Sequence, residues 1–78
     1  MPLLRLFGPA RVAAGTARCE VAGGSVDAVL ADAVARFGPA FADVVAASRV
    51  WVNGEPVQPG HELTPVDEVA VLPPVSGG

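Results

Sequence analysis

The fold is decided by the end of the chain, which reads Glu68-Val69-Ala70-Val71-Leu72-Pro73-Pro74-Val75-Ser76-Gly77-Gly78. Residues 68–72 predict a strand with Val69 and Val71 on one face and Ala70 and Leu72 on the other. Because both faces are apolar, we expect this strand to lie centrally in a sheet, where a parallel pairing with the first strand would place it. The two prolines that follow lack a backbone N–H and end the sheet pairing.

The last six residues, Pro73 to Gly78, form an exit from this strand. A proline pushes the residue before it towards an extended conformation, so the chain leaves the sheet in a defined direction. Gly77 and Gly78 carry no Cβ, and only backbone surrounds the terminal carboxylate. Such a tail can thread a narrow channel and offer its carboxylate to another enzyme's active site. The simpler alternative is a loose chain end or a linker ending in Ser-Gly-Gly.

The composition bounds the class of protein. Seventy-eight residues, of which 51% are hydrophobic, allow one domain with a compact core. The net charge is −3, and the five basic residues are all arginine, which is too little positive charge for a nucleic-acid-binding face. A single cysteine excludes an internal disulfide and favours a cytoplasmic location. Neither a membrane span nor a signal peptide is visible, so we expect no membrane partner.

Two strands are predicted in the first part of the chain. Residues 3–7 and residues 16–21 alternate between faces, and a loop or wide turn from Arg11 to Gly15 separates them. We expect these strands to pair antiparallel. Cys19 falls on the apolar face of the second strand, where we interpret it as a small buried hydrophobe rather than a reactive thiol.

One main helix is the clearest element in the middle of the chain. Ser25 suits the N-cap position, and Asp27 in the first turn complements the helix dipole. Apolar residues then recur at helical spacing and predict one core-facing stripe: Val26, Val29, Leu30, Ala33, Val34 and Phe37. Gly38 stands where a left-handed residue would end the helix, and Pro39 follows it. Residues 39–47 predict a second, shorter helix.

A hairpin is predicted after the second helix. Residues 49–52 form a third strand that runs into Asn53-Gly54, the strongest short hairpin signal because both residues tolerate a positive φ. Residues 55–57 would return as a short strand, which its proline confines to an edge. Trp51 could either cover the core or lie on the surface.

Taken together, these elements predict an α+β fold of the ubiquitin-like, β-grasp kind. The expected architecture is a mixed sheet of about five strands packed on one main helix, plus a short helix. The domain would span residues 1–72, and residues 73–78 would form a flexible tail.

Enzyme signatures are missing from the sequence. His61 stands alone in a turn, and we interpret it as a solvated loop residue rather than a metal ligand. Asp67 and Glu68 are adjacent on a strand and point to opposite faces, so we expect turn chemistry or a partner contact instead of an acid–base pair. No histidine is set beside a serine or cysteine nucleophile. The chain is therefore predicted to be a substrate or carrier, not a catalyst.

Several segments are shared with a known family: Phe7, Gly15-Thr16, Val52-Asn53-Gly54, Leu63, Asp67-Glu68-Val69-Ala70 and above all Pro73-Pro74-Val75-Ser76-Gly77-Gly78. Together they resemble the small subunit of molybdopterin synthase, a MoaD/ThiS-type ubiquitin-like sulfur carrier. The resemblance covers the whole length, and the ending is its specific part. Related carriers of the thiamine pathway also end on two glycines but usually lack the proline pair. The chain departs from the family at Val66, where a glycine is frequent, and at Gly8-Pro9 after the first strand.

The resemblance implies a mechanism centred on Gly78. An E1-like activating enzyme would bind the domain, and the Gly78 carboxylate would attack the α-phosphate of ATP to form an acyl-adenylate. A sulfur donor, such as a cysteine desulfurase or a rhodanese-type protein, would displace AMP and leave a thiocarboxylate. The tail would then enter the large subunit of molybdopterin synthase and pass sulfur to a cyclic pyranopterin. ATP belongs to the activating enzyme, so we expect no cofactor in this chain, the non-catalytic small subunit.

The candidate site residues lie in and around the tail. Gly78 is the reacting residue, and Gly77 precedes it in the channel. A tail alone offers little area, so an exposed apolar patch should help to bind partners. The candidate partner-binding residues are Phe7, Arg11, Leu72, Pro73, Pro74, Val75 and Ser76. Core filling is an equal alternative for Phe7, and a solvated loop arginine is the alternative for Arg11.

Other functions share the same ending and stay open at the level of sequence. Sulfur could go to another pathway, such as thiamine, cysteine, tRNA thiolation or a natural product. The activated glycine could instead be passed to a lysine on a target protein, as in a ubiquitin-like modifier. A fourth possibility is an interaction module whose tail is chemically inert.

Overall fold

The computed structural model describes residues 1–74. Within them, three helices and five strands follow one another along the chain. Their bounds are β1 (Leu3–Leu6), α1 (Gly8–Ala14), β2 (Arg18–Glu20), α2 (Val26–Phe37), α3 (Pro39–Ala46), β3 (Arg49–Val52), β4 (Glu55–Pro56) and β5 (Glu68–Leu72). None of these helices is both long and apolar enough to span a membrane.

The five strands form one mixed sheet in the order β2-β1-β5-β3-β4. β5 pairs parallel with β1 and antiparallel with β3, so its central position, predicted from its apolar character, is confirmed. Val69 and Val71 face the core with no exposed surface. Ala70 and Leu72 lie on the opposite face and stay half-buried, because the helices pack on one side only.

The predicted main helix and its stripe are confirmed in α2. Ser25 caps the helix with its side-chain oxygen, which accepts a hydrogen bond from the N–H of Ala28 at 3.2 Å. Phe41 of α3 is fully buried and packs edge-on against Phe37, with 5.2 Å between ring centroids. The buried core combines both layers: Leu4, Leu6, Ala10, Val21, Val26, Val29, Ala33, Phe41, Val52, Val69 and Val71. The ubiquitin-like β-grasp architecture is therefore confirmed.

The prediction of a loop from Arg11 to Gly15 is wrong, because residues 11–14 belong to α1 and Gly15 is its C-cap. Pro9 occupies the first turn, where its fixed φ suits a helix and its missing N–H is not needed. Gly15 ends the helix with φ 74°, ψ 13°, and its N–H donates to the Arg11 carbonyl at 2.9 Å. Ala10 is the only fully buried residue of α1. With one buried position, the helix has no repeating apolar pattern that could be recognised in the sequence.

The hairpin at Asn53-Gly54 is confirmed, with φ 51° and 84° at the two positions. β4 lies at the sheet edge, where Pro56 is tolerated. The Asn53 side chain also ties the turn to the neighbouring strand, since its Nδ2 donates to Asp67 Oδ1 and its Oδ1 accepts from the Glu68 N–H, both at 3.0 Å. The turn therefore sets where β5 begins.

Candidate functional site

The sheet has a solvent-facing side opposite the helices, which we call the outer face. Strand alternation and register assign it eleven residues: Leu3, Arg5, Phe7, Arg18, Glu20, Arg49, Trp51, Pro56, Glu68, Ala70 and Leu72. Arg5 lies opposite Ala70, which in turn lies opposite Trp51. Trp51, whose placement the sequence left open, therefore sits on the outer face and is half-buried there.

Phe7 lies on the outer face rather than in the core, with 40% of its surface exposed. The parallel register ends with Leu6 beside Val71, and Phe7 and Leu72 are the residues that follow these two along their chains. Two of the predicted partner-binding residues therefore lie at the same end of the sheet. The Arg5 guanidinium carbon lies 5.7 Å from the centroid of the Phe7 ring, a cation–π distance that holds the ring at the surface.

The root of the tail continues directly from this patch. Leu72 and Pro73 are half-buried, and Pro74 is exposed. The predictions for Val75, Ser76, Gly77 and Gly78 lie outside the residues that the structure describes. The described part of the chain therefore presents an apolar patch at the point from which the last residues depart.

Arg11 lies on α1, where the sequence predicted a loop, and it is exposed. Its backbone N–H donates to the Phe7 carbonyl at 3.4 Å, which places it one helical turn beyond Phe7. A partner bound to Phe7 would have this arginine within reach. The role of Arg11 in partner binding stays a prediction.

Arginine side chains surround the apolar patch although the chain is acidic overall. Arg18 is registered opposite Arg5, and Arg49 is registered opposite Leu72 at the tail root. Arg5 also forms an exposed ion pair with Glu68 at 3.1 Å, which adds little stability but fixes both side chains. Sequence reasoning missed Arg18 and Arg49, because only the strand register reveals which charged positions share a face with Phe7.

Asp67 and Glu68 do not form an acid–base pair. Asp67 Oδ2 accepts from the Thr64 N–H at 2.8 Å and closes the turn before β5. This hydrogen bond, together with that from Asn53, lowers the pKa of Asp67 below its ordinary value. Glu68 points to the outer face and pairs with Arg5. The expectation of turn chemistry is therefore confirmed for Asp67.

The single cysteine and the single histidine take no part in this site. Cys19 is half-buried against the core, and burial raises the pKa of its thiol, which keeps it protonated. His61 is exposed in a turn, as predicted. Among residues 1–74, no three side chains of the metal-ligating types come together as a possible metal site.

Comparison with known proteins gives a family match along almost the entire chain. The model of the ThiS family matches residues 4–78. Among solved structures, SAMP1 from Haloferax volcanii is 31% identical over 99% of this chain and 98% of its own, with a TM-score of 0.83. No curated protein sequence matches the chain significantly.

Two further solved structures show the same fold. The small archaeal modifier protein 1 of Methanosarcina acetivorans is 27% identical over 99% of this chain and 95% of its own, with a TM-score of 0.88. A putative molybdopterin converting factor, subunit 1, from Pyrococcus furiosus is 27% identical over 95% of this chain and 97% of its own, with a TM-score of 0.79.

Proposed function

We propose that the chain carries sulfur as a thiocarboxylate on Gly78. The chain belongs to the ThiS family of ubiquitin-like sulfur carriers and modifiers. The observation that carries the proposal is the extent of the family match, which runs to Gly78 and includes the whole tail. The patch of Phe7 and Leu72 at the tail root supports it, because a partner that acts on the tail needs a surface beside it.

The chemistry takes place at the terminal carboxylate. An E1-like activating enzyme brings ATP, and the Gly78 carboxylate attacks its α-phosphate and releases pyrophosphate. The resulting acyl-adenylate is a good electrophile, so the terminal sulfur of a cysteine persulfide on a donor such as a cysteine desulfurase or rhodanese-type protein displaces AMP and forms an acyl disulfide. A second cysteine thiol of the partners then attacks the donor's sulfur, which forms a disulfide between the two cysteines and releases the thiocarboxylate, whose sulfur remains nucleophilic. The body of the protein supplies recognition, while the partners supply the catalytic groups.

The outer face is the surface through which we propose that these partners bind. Phe7 and Leu72 give it an apolar centre, and its three arginines, Arg5, Arg18 and Arg49, outnumber its two glutamates, Glu20 and Glu68. The preferred partner surface is therefore apolar at its centre and acidic at its rim, because complementary charge steers association and fixes register. The arginines of the outer face would orient a chain with a net charge of −3 so that this face approaches such a partner.

We propose that the sulfur is used in molybdopterin synthesis. The proline pair before Val75 resembles the small subunit of molybdopterin synthase, and the converting factor subunit from Pyrococcus furiosus is 27% identical over nearly its full length. In this role the chain would donate its sulfur within the large subunit to a cyclic pyranopterin.

Reconstitution tests the pathway directly. The thiocarboxylated chain is mixed with a molybdopterin synthase large subunit and cyclic pyranopterin, and formation of the dithiolene product is measured. The proposal expects product in proportion to the thiocarboxylate supplied, and none with the unmodified carboxylate. A stable thiocarboxylate that yields no product would reject this pathway and leave the carrier role standing.

Protein modification is the second candidate, favoured by the 31% identity to SAMP1, whose relative from Methanosarcina acetivorans is described as a modifier protein. The chain contains no lysine, so an isopeptide bond would have to form on a lysine of another protein. Mass spectrometry of trypsin-digested cell extracts would detect target lysines that carry residues 50–78 through Gly78, because Arg49 is the last trypsin site of the chain. Such conjugates would support modification, and their absence from cells that form the thiocarboxylate would exclude it.

A further inference from the structure

The turn between β3 and β4 contains the only asparagine of the chain, Asn53, and Gly54 follows it directly. Both residues are exposed, and a Cβ added at Gly54 would meet nothing within 4 Å. An asparagine followed by glycine is prone to succinimide formation, because glycine has no side chain to hinder attack by its backbone nitrogen on the asparagine Cγ. The turn therefore exposes a chemically reactive pair of residues to solvent.

Hydrogen bonds restrain the reacting side chain in the folded protein. Asn53 Nδ2 donates to Asp67 Oδ1, and Asn53 Oδ1 accepts from the Glu68 N–H, both at 3.0 Å. β5 and β4 lie on opposite sides of β3, so these bonds draw the side chain towards β5, while Gly54 leads the chain into β4. Closure of a succinimide ring requires the side chain and the following peptide group to rotate towards each other. The two hydrogen bonds must break before that rotation can occur.

We propose that Asn53 is a deamidation site whose rate is set by the opening of the contacts that tie this turn to β5. The Gly54 nitrogen attacks Asn53 Cγ, and a bond between these two atoms forms. The bond from Cγ to Nδ2 breaks, and Nδ2 leaves as ammonia with the proton that the Gly54 nitrogen gives up. Water then opens the ring at either carbonyl carbon and leaves aspartate or isoaspartate at position 53. The site goes beyond the proposed function, because the reaction needs only water and no activated Gly78.

Both products weaken the contact between the turn and β5. In the aspartate product, a carboxylate oxygen takes the place of Nδ2 and faces Asp67 Oδ1, so a donor is replaced by a like charge. In the isoaspartate product, one side-chain carbon enters the main chain of a two-residue hairpin loop, whose length fixes the register of its strands. The modification is therefore expected to leave a turn that cannot restore its original hydrogen bonds.

The time course of deamidation tests the restraint. The full chain is kept at neutral pH and physiological temperature, in native buffer and in concentrated guanidinium chloride, and its intact mass is followed. Each event adds the difference in mass between water and ammonia, and sequencing of the tryptic fragment of residues 50–78 locates it at Asn53. The folded chain should react at least about tenfold more slowly, because two hydrogen bonds must break first. Equal rates in the two states, or no reaction of the unfolded chain, would overturn the proposal.

Two variants separate local opening from global unfolding. Asp67→Ala removes the acceptor of the Asn53 side-chain N–H and should speed deamidation of the folded chain roughly fivefold. Phe41→Leu is the matched control, because it lowers stability through the buried core and leaves both hydrogen bonds of Asn53 in place. Its deamidation rate should stay near that of the wild-type chain. A wild-type rate in folded Asp67→Ala, or equal acceleration in the two variants, would contradict the proposal.

The consequence of the modification has its own test. Asn53→Asp reproduces the aspartate product and should melt roughly 5 °C below the wild-type chain at neutral pH. Gln58→Glu is the matched control, since it makes the same change from amide to carboxylate on an exposed side chain and should leave the melting temperature unchanged. Equal melting temperatures of Asn53→Asp and the wild-type chain would contradict the proposed damage to the turn. If Asp67→Ala does not fold, the comparison of folded with unfolded wild-type chain decides.

Discussion

Gly23 meets two structural demands at once, a positive φ and a close approach to a helix. Its φ is 148°, and a Cβ added there would lie 2.8 Å from both Ala28 Cβ and the Val29 nitrogen. In the sequence, Gly23-Gly24 is only a pair of glycines between the predicted second strand and the predicted main helix. Which glycine is indispensable depends on the distance to α2, and that distance follows from packing of the helix on the sheet.

The first prediction concerns this glycine. Gly23→Ala should lower the free energy of unfolding by about 1–3 kcal/mol, because the new Cβ forces the turn away from α2. Gly24→Ala is the matched control, since nothing lies within 4 Å of a Cβ there. Urea denaturation of both variants measures the difference. Equal stability of the two would show that the turn adapts at no cost.

The lowered pKa of Asp67 predicts how the stability of the fold depends on pH. Its hydrogen bonds from Thr64 and Asn53 lower the pKa of Asp67 in the folded state below the ordinary value of 3.8. A carboxyl group with a lowered folded-state pKa stabilises the fold above its unfolded-state value and loses that contribution as the pH falls through the folded-state value.

We therefore expect the melting temperature of the wild-type chain to fall between about pH 4 and pH 2 more steeply than that of Asp67→Asn. Carbon NMR of the Asp67 carboxyl group measures the pKa itself. Titration at or above 3.8 would contradict the assigned hydrogen bonds.

At the scale of elements, the strands and the two later helices could be predicted because their signals are local. The cap at Ser25, the apolar stripe of α2 and the Asn53-Gly54 hairpin each lie within a few residues of sequence. α1 was missed because Gly8-Pro9 is typical of a break and because a short alanine-rich helix buries little apolar surface. The charges of the outer face depend on strand register, which is set by long-range pairing.

The outer face gives a prediction at this scale. Phe7→Ser should raise the KM of the activating enzyme for the carrier roughly tenfold, because an exposed aromatic ring at the tail root is removed. The fold should be unaffected, since Phe7 is 40% exposed. Val66→Ser is the matched control, an 89% exposed valine in the turn at the opposite end of β5. Equal changes in KM for the two variants would contradict the proposal that the outer face binds the activating enzyme.

For the whole molecule, the architecture supports the proposal that a small domain presents a reactive terminus. β5 is the central strand, and it is held on both sides by β1 and β3, so the root of the tail is anchored in the most protected part of the sheet. Proline at the strand end allows no further pairing there. The fold class and this central strand could be predicted because the apolar run and the prolines are adjacent in sequence.

The most direct test of the account is the intact mass of the chain after incubation with ATP, a sulfur source and its activating enzyme. The account predicts that one oxygen of the full-length chain is replaced by sulfur, whereas a chain lacking Gly78 folds normally and keeps its mass. Gly78→Ala should nearly abolish the exchange, because a Cβ clashes in a channel shaped for glycine. An unchanged mass of the full chain, or equal modification of the truncated chain, would contradict the account.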